Sequence, residues 1–321
     1  MKHIFVNLKR FDVPRSMGGV CPVDKPDRWI ENVMRESLGE GLGEQENLKV
    51  VFFLPEGLII SAGKELNSHP TSKRLGIELG CQSVYRHDVQ AGGNFGAFTT
   101  LLPAKAGKNL GCTWSIVGHS EERKAMEDLI FQYDPGVRED ADLRKRASGA
   151  VSAVIGEEVL CALGAGLNVL LCVGETSAER GEGDFSAQKA RVEAALKSQL
   201  ITGLDRAFSA YSEDETRAGS LDRRIVIGYE PIWAIGPGKT PPGKDYIGYV
   251  SGCIKAIVNH AYGFEPMVVY GGGLKKDNAA MIGSIDTLDG GLVALTRFSG
   301  QIGFEPKELG EIVREYLSPS R

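Results

Sequence analysis

Cysteine pairs, closely spaced histidines, long apolar runs and concentrated positive charge are all missing from this chain, and each absence removes a class of function. The six cysteines (Cys21, Cys81, Cys112, Cys161, Cys172 and Cys253) are scattered with no CxxC pair, which argues against a zinc knuckle or a disulfide framework and for reduced core thiols. The five histidines show neither HExxH nor any other tight ligand spacing, so no bound metal is expected. No GxGxxG follows an early strand, and no dinucleotide cofactor is expected either. Lysine and arginine number 37 against 42 acidic residues, a net charge of −5 with the basic residues dispersed. That leaves no basic patch for nucleic acid and no polybasic anchor for a membrane. The first seven residues turn polar too early for a signal-peptide core, and no apolar run approaches membrane-spanning length; a cytoplasmic protein is the expectation.

What the chain does have is 321 residues, 42% of them hydrophobic, enough for a sizeable core. Short strand-like runs alternate with longer stretches of helical period. The runs are His3–Asn7, Lys49–Leu54, Glu78–Tyr85, Thr113–Val117, Asn168–Val173, Arg224–Tyr229, Met267–Tyr270 and Gly290–Ala294. Alternation of this kind predicts βα units on a parallel sheet, and eight such units suit one closed (β/α)8 TIM barrel of ~250 residues. The excess length falls in three insertions, Phe11–Lys25, Phe131–Ser148 and Ser212–Asp222, each too short to bury a core of its own. The run of charges in the second reads as a solvated face. A doubly wound open sheet uses the same units, so the loop chemistry has to decide between the two.

Barrel sites are assembled where strands end, which makes polar residues at those ends informative. The first strand ends in Asn7-Leu8-Lys9, the fourth in Gly118-His119-Ser120-Glu121, the sixth in Glu230 and the seventh in Gly271-Gly272-Gly273. After Glu230, Pro231 and Trp233 (flanking Ile232) form a stiff hinge, and Ala234-Ile235-Gly236-Pro237-Gly238 a small movable tip before Lys239-Thr240. A carboxylate beside a lid suits proton transfer, because closure expels water and strengthens electrostatic interactions around the reacting atoms. The Gly-Lys-Thr in this segment is not a P-loop: the required glycine five positions earlier is Trp233.

Taken together these ends resemble the triosephosphate isomerase family along nearly the whole chain. Asn7 and Lys9 match its Asn-x-Lys, Gly96-Ala97-Phe98-Thr99 its third loop, Trp114–Arg123 the segment with the catalytic histidine, Cys172–Glu175 the fifth strand end, Tyr229–Thr240 the base and lid, and Tyr270-Gly271-Gly272 the seventh. The resemblance implies an aldose–ketose isomerase acting on a small phosphorylated sugar, without a cofactor, as a homodimer. Glu230 would be the base, His119 a neutral imidazole donating a hydrogen bond, Lys9 a positive charge toward the substrate oxygens with Asn7 assisting, and Glu121 a partner that orients Lys9 or shuttles protons. The pairing of base and neutral histidine is implied by that family, which is the standard example of it.

Departures concentrate at the anion end. Backbone amides of Gly236 and Gly273 remain available for a phosphate, although Gly273 stands where the family has serine. Ala294-Leu295-Thr296-Arg297 replaces Gly-Gly-Ala-Ser, and Leu295 places a side chain where close backbone approach to an anion favours glycine. Arg297 is either a guanidinium clamp on that anion or one half of a surface pair. Leu8 and Arg10-Phe11 replace residues usual around Lys9. Thr100-Leu101 stands for the family's Gly-Glu in a loop that reaches the neighbouring subunit, and Glu122 for one of two arginines. These changes keep open a second substrate, a four-carbon sugar phosphate such as erythrulose phosphate. A Schiff-base aldolase using Lys9 and a non-catalytic binding barrel are the readings from other classes.

Overall fold

The computed structural model describes residues 1–211, 221–236 and 238–318, so Pro237 and most of the Ser212–Asp222 insertion lie outside the described residues. Eight strands close on one another in sequence order: β1 (Lys2–Asn7), β2 (Leu48–Leu54), β3 (Ile77–Cys81), β4 (Trp114–Val117), β5 (Asn168–Val173), β6 (Ile225–Tyr229), β7 (Met267–Tyr270) and β8 (Gly290–Val293). All pairs are parallel, and the ring closes where His3, Ile4, Phe5 and Val6 of β1 pair with Gly290, Gly291, Leu292 and Val293 of β8. Closure decides for the barrel over the open sheet.

Strand alternation sorts the side chains. In β1, Ile4 and Val6 face the helices and Phe5 faces the barrel axis. The interior is filled by Phe5, Phe53, Trp114, Ile116, Leu170, Val226, Val269 and their neighbours, so the barrel is a packed core with no channel. Phe5 stacks on Phe53 with ring centres 5.7 Å apart and meets the edge of Trp114 at 5.2 Å. Below them the buried His3 ring stacks on Phe5, and burial pushes its pKa down to about 4. The same two-residue period carried past the strand ends places Asn7, Gly118, Glu230, Gly271 and Ala294 at the top of the barrel.

The helices returning the chain are Pro26–Gly39, Glu56–Asn67, Ala104–Asn109, Ser120–Tyr133, Ala141–Gly164, Phe185–Tyr211, Lys244–Tyr262, Lys276–Gly283 and Pro306–Leu317, with short turns at Thr71–Arg74 and Ser177–Arg180. Helix Ala141–Gly164 is long and apolar enough to cross a bilayer, contrary to the sequence expectation, but half of its apolar window is buried inside the protein, as in a barrel's outer layer. The Phe131–Ser148 insertion is the join between this helix and Ser120–Tyr133, through a 3-10 turn at Pro135–Arg138. Its Glu139, Asp142, Arg144 and Lys145 are exposed, a solvated face as expected. The Phe11–Lys25 insertion contains a 3-10 turn at Arg15–Met17, and Arg15 Nη1 donates to Gln301 Oε1 at 3.0 Å, joining it to a hairpin after β8 in which Arg297 and Gly303 pair. All six cysteines are free, four buried and two half-buried.

β3 ends four residues earlier than predicted, at Cys81. Gln82 and Ser83 spend their polar atoms on the barrel rim, and the Tyr85 amide donates to Leu102 O at 2.7 Å within the following loop. The β-forming character of Val84 and Tyr85 is thus overridden by loop pairing.

Candidate active site

At the end of β6 the Glu230 side chain is 4% exposed. Two glycines make that burial possible. A Cβ on Gly174, at the end of β5, would fall 1.7 Å from the Glu230 carbonyl oxygen, and one on Gly271, at the end of β7, 2.9 Å from Glu230 Cγ. The end of β5 thus closes on the Glu230 backbone and the end of β7 on its side chain. Its Oε2 accepts the Ser120 amide at 2.9 Å and its Oε1 the Ser120 hydroxyl at 3.0 Å.

His119 leaves β4 through Gly118 and caps the helix Ser120–Tyr133. Its Nδ1 accepts the Glu121 backbone N–H at 3.3 Å, which places any proton of a neutral ring on Nε2. Nε2 faces Glu230 Oε1 at 3.3 Å. Arg123, buried, locks this turn by donating to Gly118 O at 2.8 Å and Cys172 O at 3.0 Å.

Asn7 is 5% exposed at the end of β1, and its Oδ1 accepts the Lys9 amide at 3.0 Å. Lys9 has φ of +39°, a left-handed conformation costly for a residue with a Cβ. Gln82 supports it, donating to Lys9 O at 2.8 Å and to Asn7 Oδ1 at 3.2 Å. The Lys9 ammonium meets Glu121 Oε1 at 2.6 Å. Lys9, Glu121, His119 and Glu230 therefore form one contiguous line of charge and hydrogen bonds across the rim, with Asn7 at its root.

The segment expected to form a lid begins with Pro231, buried, and a 3-10 turn over Ile232–Ala234. Trp233 Nε1 donates at 2.7 Å to Glu175 Oε1, a fully buried carboxylate that also accepts Tyr246 OH at 2.7 Å and Tyr229 OH at 3.0 Å. Burial raises the Glu175 pKa, and these three donors pull it back. The Arg180 guanidinium lies 3.8 Å over the Trp233 ring. Beyond this anchor Ile235, Gly236, Gly238, Lys239 and Thr240 are exposed, and Gly236 and Gly238 hold φ of +119° and +74°. Ile232 and Ile235 overhang a cavity of about 320 Å³ that Ser120, Glu121 and Gly174 also line.

After β7, where the sequence places a candidate anion contact, Gly273 has φ of +97°, and its carbonyl is held by Asn278 Nδ2 at 3.0 Å. Ala294 and Leu295 follow β8; Ala294 and Leu295 are both half-buried. Arg297 donates to Glu308 Oε1 from Nε at 3.0 Å and Nη2 at 2.8 Å, with Glu305 at 3.4 Å from Nη1. Of its two sequence readings, the ion pair is the one present in this structure.

Four residues of this site escape sequence reasoning. Ser120 and Glu175 lie inside recognisable motifs, yet nothing in their spacing assigns them a role. Gln82 and Ser83 are hidden by the over-long third strand, where a polar residue reads as an outward-facing position.

A closed parallel barrel whose C-terminal rim gathers a buried carboxylate, a tautomer-fixed imidazole and a lysine, beside a glycine-tipped lid, defines a barrel enzyme of the proton-transfer class. The family model described as triosephosphate isomerase matches residues 31–135 and 143–302. Curated relatives with that name include one from Bdellovibrio bacteriovorus, 31% identical over 314 residues (97% of this chain, 99% of the relative), and one from Oleidesulfovibrio alaskensis, 32% identical over 221 residues (68% and 70%). The crystal structure of triosephosphate isomerase from Bartonella henselae shares the fold, with a TM-score of 0.64 and 21% identity over 99% of both chains. The chain belongs to the triosephosphate isomerase family, and it is an isomerase.

Proposed function

We propose that the protein interconverts D-glyceraldehyde 3-phosphate and dihydroxyacetone phosphate by enediolate proton transfer. The observation that carries this is His119 Nε2 standing 3.3 Å from Glu230 Oε1, with Lys9 joined to the same rim through Glu121. Glu230 removes the proton from the carbon beside the carbonyl. His119, its Nδ1 occupied by the Glu121 amide, donates from Nε2 to the carbonyl oxygen as negative charge develops there. No carbon fits in the present gap between the two groups. Substrate therefore takes over the imidazole hydrogen bond while the carboxylate turns from Ser120 toward the reacting carbon. Lys9 balances the enediolate charge, Asn7 keeps the Lys9 backbone in its strained conformation, and Glu121 holds the ammonium in position.

The exposed tip residues Ile235, Gly236, Gly238, Lys239 and Thr240 close over this site and exclude water. Amides of Gly236 and Gly273, with those of Ala294 and Leu295, hold the phosphate. Arg297 supports that end through Glu308 as part of the hairpin after β8. The working form is a cytoplasmic homodimer, as the family resemblance implies.

A panel of triose, tetrose and tetrulose phosphates tests the substrate. Turnover of the triose phosphates is expected. Turnover confined to a four-carbon substrate such as erythrulose phosphate would overturn the assignment and trace to the rewritten Ala294-Leu295 segment.

A further inference from the structure

Behind the catalytic imidazole lies a carboxylate that the reaction does not use. Glu122 sits in the first turn of helix Ser120–Tyr133, where an acidic side chain ordinarily turns outward to solvent, yet its carboxyl group turns back into the rim. Oε2 accepts the Gly118 amide at 2.6 Å, and Oε1 accepts the Ser83 hydroxyl in a short hydrogen bond. Gly118 is the residue that delivers His119 from β4. Its φ is +73°, and a Cβ there would stand 3.0 Å from Arg123 Nη2 and from Cys172 O, so its peptide is enclosed. Arg123 holds the carbonyl of Gly118 at 2.8 Å while Glu122 holds its N–H.

Ser83 is bonded in turn to Gln82 through the chain, and Gln82 Nε2 donates to Asn7 Oδ1 at 3.2 Å and to Lys9 O at 2.8 Å. Two consecutive residues after β3 therefore connect the polar end of β1 to the polar end of β4. We propose that Glu122 is a positioning residue for His119, and that the Glu122–Ser83–Gln82 link sets the placement of the imidazole relative to Lys9. The inference rests on the proposed roles of His119 and Lys9. Without Glu122 the Gly118 N–H loses its side-chain acceptor, and the turn carrying the imidazole is released on one side. An error of about 1 Å in such a group costs about 100-fold in rate.

The test uses Glu122→Ala, Ser83→Ala, the double variant and Glu122→Gln in the full chain, each assayed on triose phosphates below its unfolding transition. Glu122→Ala is expected to lower kcat by about 10- to 100-fold with KM within about threefold, because the imidazole acts chiefly on the transition state. Glu122→Gln accepts the Gly118 amide through its carbonyl and donates to Ser83 through its amide, so it should restore kcat to within about threefold of the parent. Ser83→Ala should lower kcat less, and the double variant no further than Glu122→Ala, since both cut one link. An unchanged kcat in Glu122→Ala, equal losses in the Ala and Gln variants, or losses that multiply in the double variant would each overturn the proposal. Should Glu122→Ala not fold, Ser83→Ala decides: a fall in kcat at constant KM supports the link, and no fall overturns it. His119 ring resonances read the same variants by NMR without turnover, so the proposal stands apart from the substrate assignment. They should move in Glu122→Ala and stay near the parent positions in Glu122→Gln, and resonances unmoved in both would overturn the link.

Discussion

Gly271→Ala should displace the proposed base without replacing any charged group. The added Cβ would lie 2.9 Å from Glu230 Cγ and 3.2 Å from the Tyr229 carbonyl oxygen, against 3.4–4 Å for ordinary contact. The Tyr229 oxygen is fixed, because it accepts the Gly271 amide at 2.7 Å, so the Glu230 side chain must give by roughly 0.5–1 Å. Reacting groups tolerate little of this: a misplacement of about 1 Å costs about 100-fold, or about 3 kcal/mol of transition-state stabilisation. The overpacking itself should cost about 1–3 kcal/mol of stability. The assay is steady-state isomerisation of triose phosphates with a melting curve on the same sample. A fall in kcat of about 10- to 100-fold with KM nearly constant is expected, since Gly271 is not among the residues assigned to the phosphate. A folded variant with kcat within twofold of the parent would refute the idea that Glu230 is held in register by the β7 end.

Three further perturbations separate stability from chemistry. Burial lowers the His3 pKa from 6.5 to about 4, so the unfolded chain binds more protons between those values and folding stability is lost as pH falls through that window. The full effect is about 3 kcal/mol, and His3→Phe should flatten the pH dependence of urea unfolding there; an unchanged slope refutes it. Glu158 is the opposite case: burial lifts its carboxyl from 4.5 up to about 9, and one oxygen has no hydrogen-bond partner among the described residues. The folded state then binds more protons from pH 4.5 upward, so Glu158→Gln should stabilise the protein increasingly as pH rises to 9; a pH-independent difference contradicts this. Trp233→Phe removes the 2.7 Å hydrogen bond to Glu175 and should loosen the lid hinge, read as faster amide exchange at Ile235 and Lys239; unchanged exchange argues against the anchor.

Much of this architecture is legible in the sequence because β strands buried on both faces leave unbroken apolar runs, such as Val50–Leu54 and Ile225–Ile227. Asn7, His119 and Glu230 are legible for a related reason: each is a polar residue at or just past the end of such a run, where a barrel places its chemistry. Residues that act from behind leave no such mark. Gln82 and Ser83 follow β3 in a stretch whose Val84 and Tyr85 read as more strand, and only the three-dimensional rim shows that Gln82 supports the strained Lys9. Glu122 looks like a solvated first-turn acid until Gly118 and Ser83 are seen to converge on it. Arg297 is balanced between two roles in the sequence because its partners, Glu305 and Glu308, lie across a hairpin that the sequence does not announce.

If Glu230 is the base of an aldose–ketose isomerase, Glu230→Gln should lose turnover of glyceraldehyde 3-phosphate and dihydroxyacetone phosphate alike. The amide keeps the shape of the side chain and cannot take the proton, so kcat should fall by about 10³-fold or more in both directions while the fold is retained. A folded Glu230→Gln enzyme with more than a tenth of the parent's turnover would show that Glu230 is not the base.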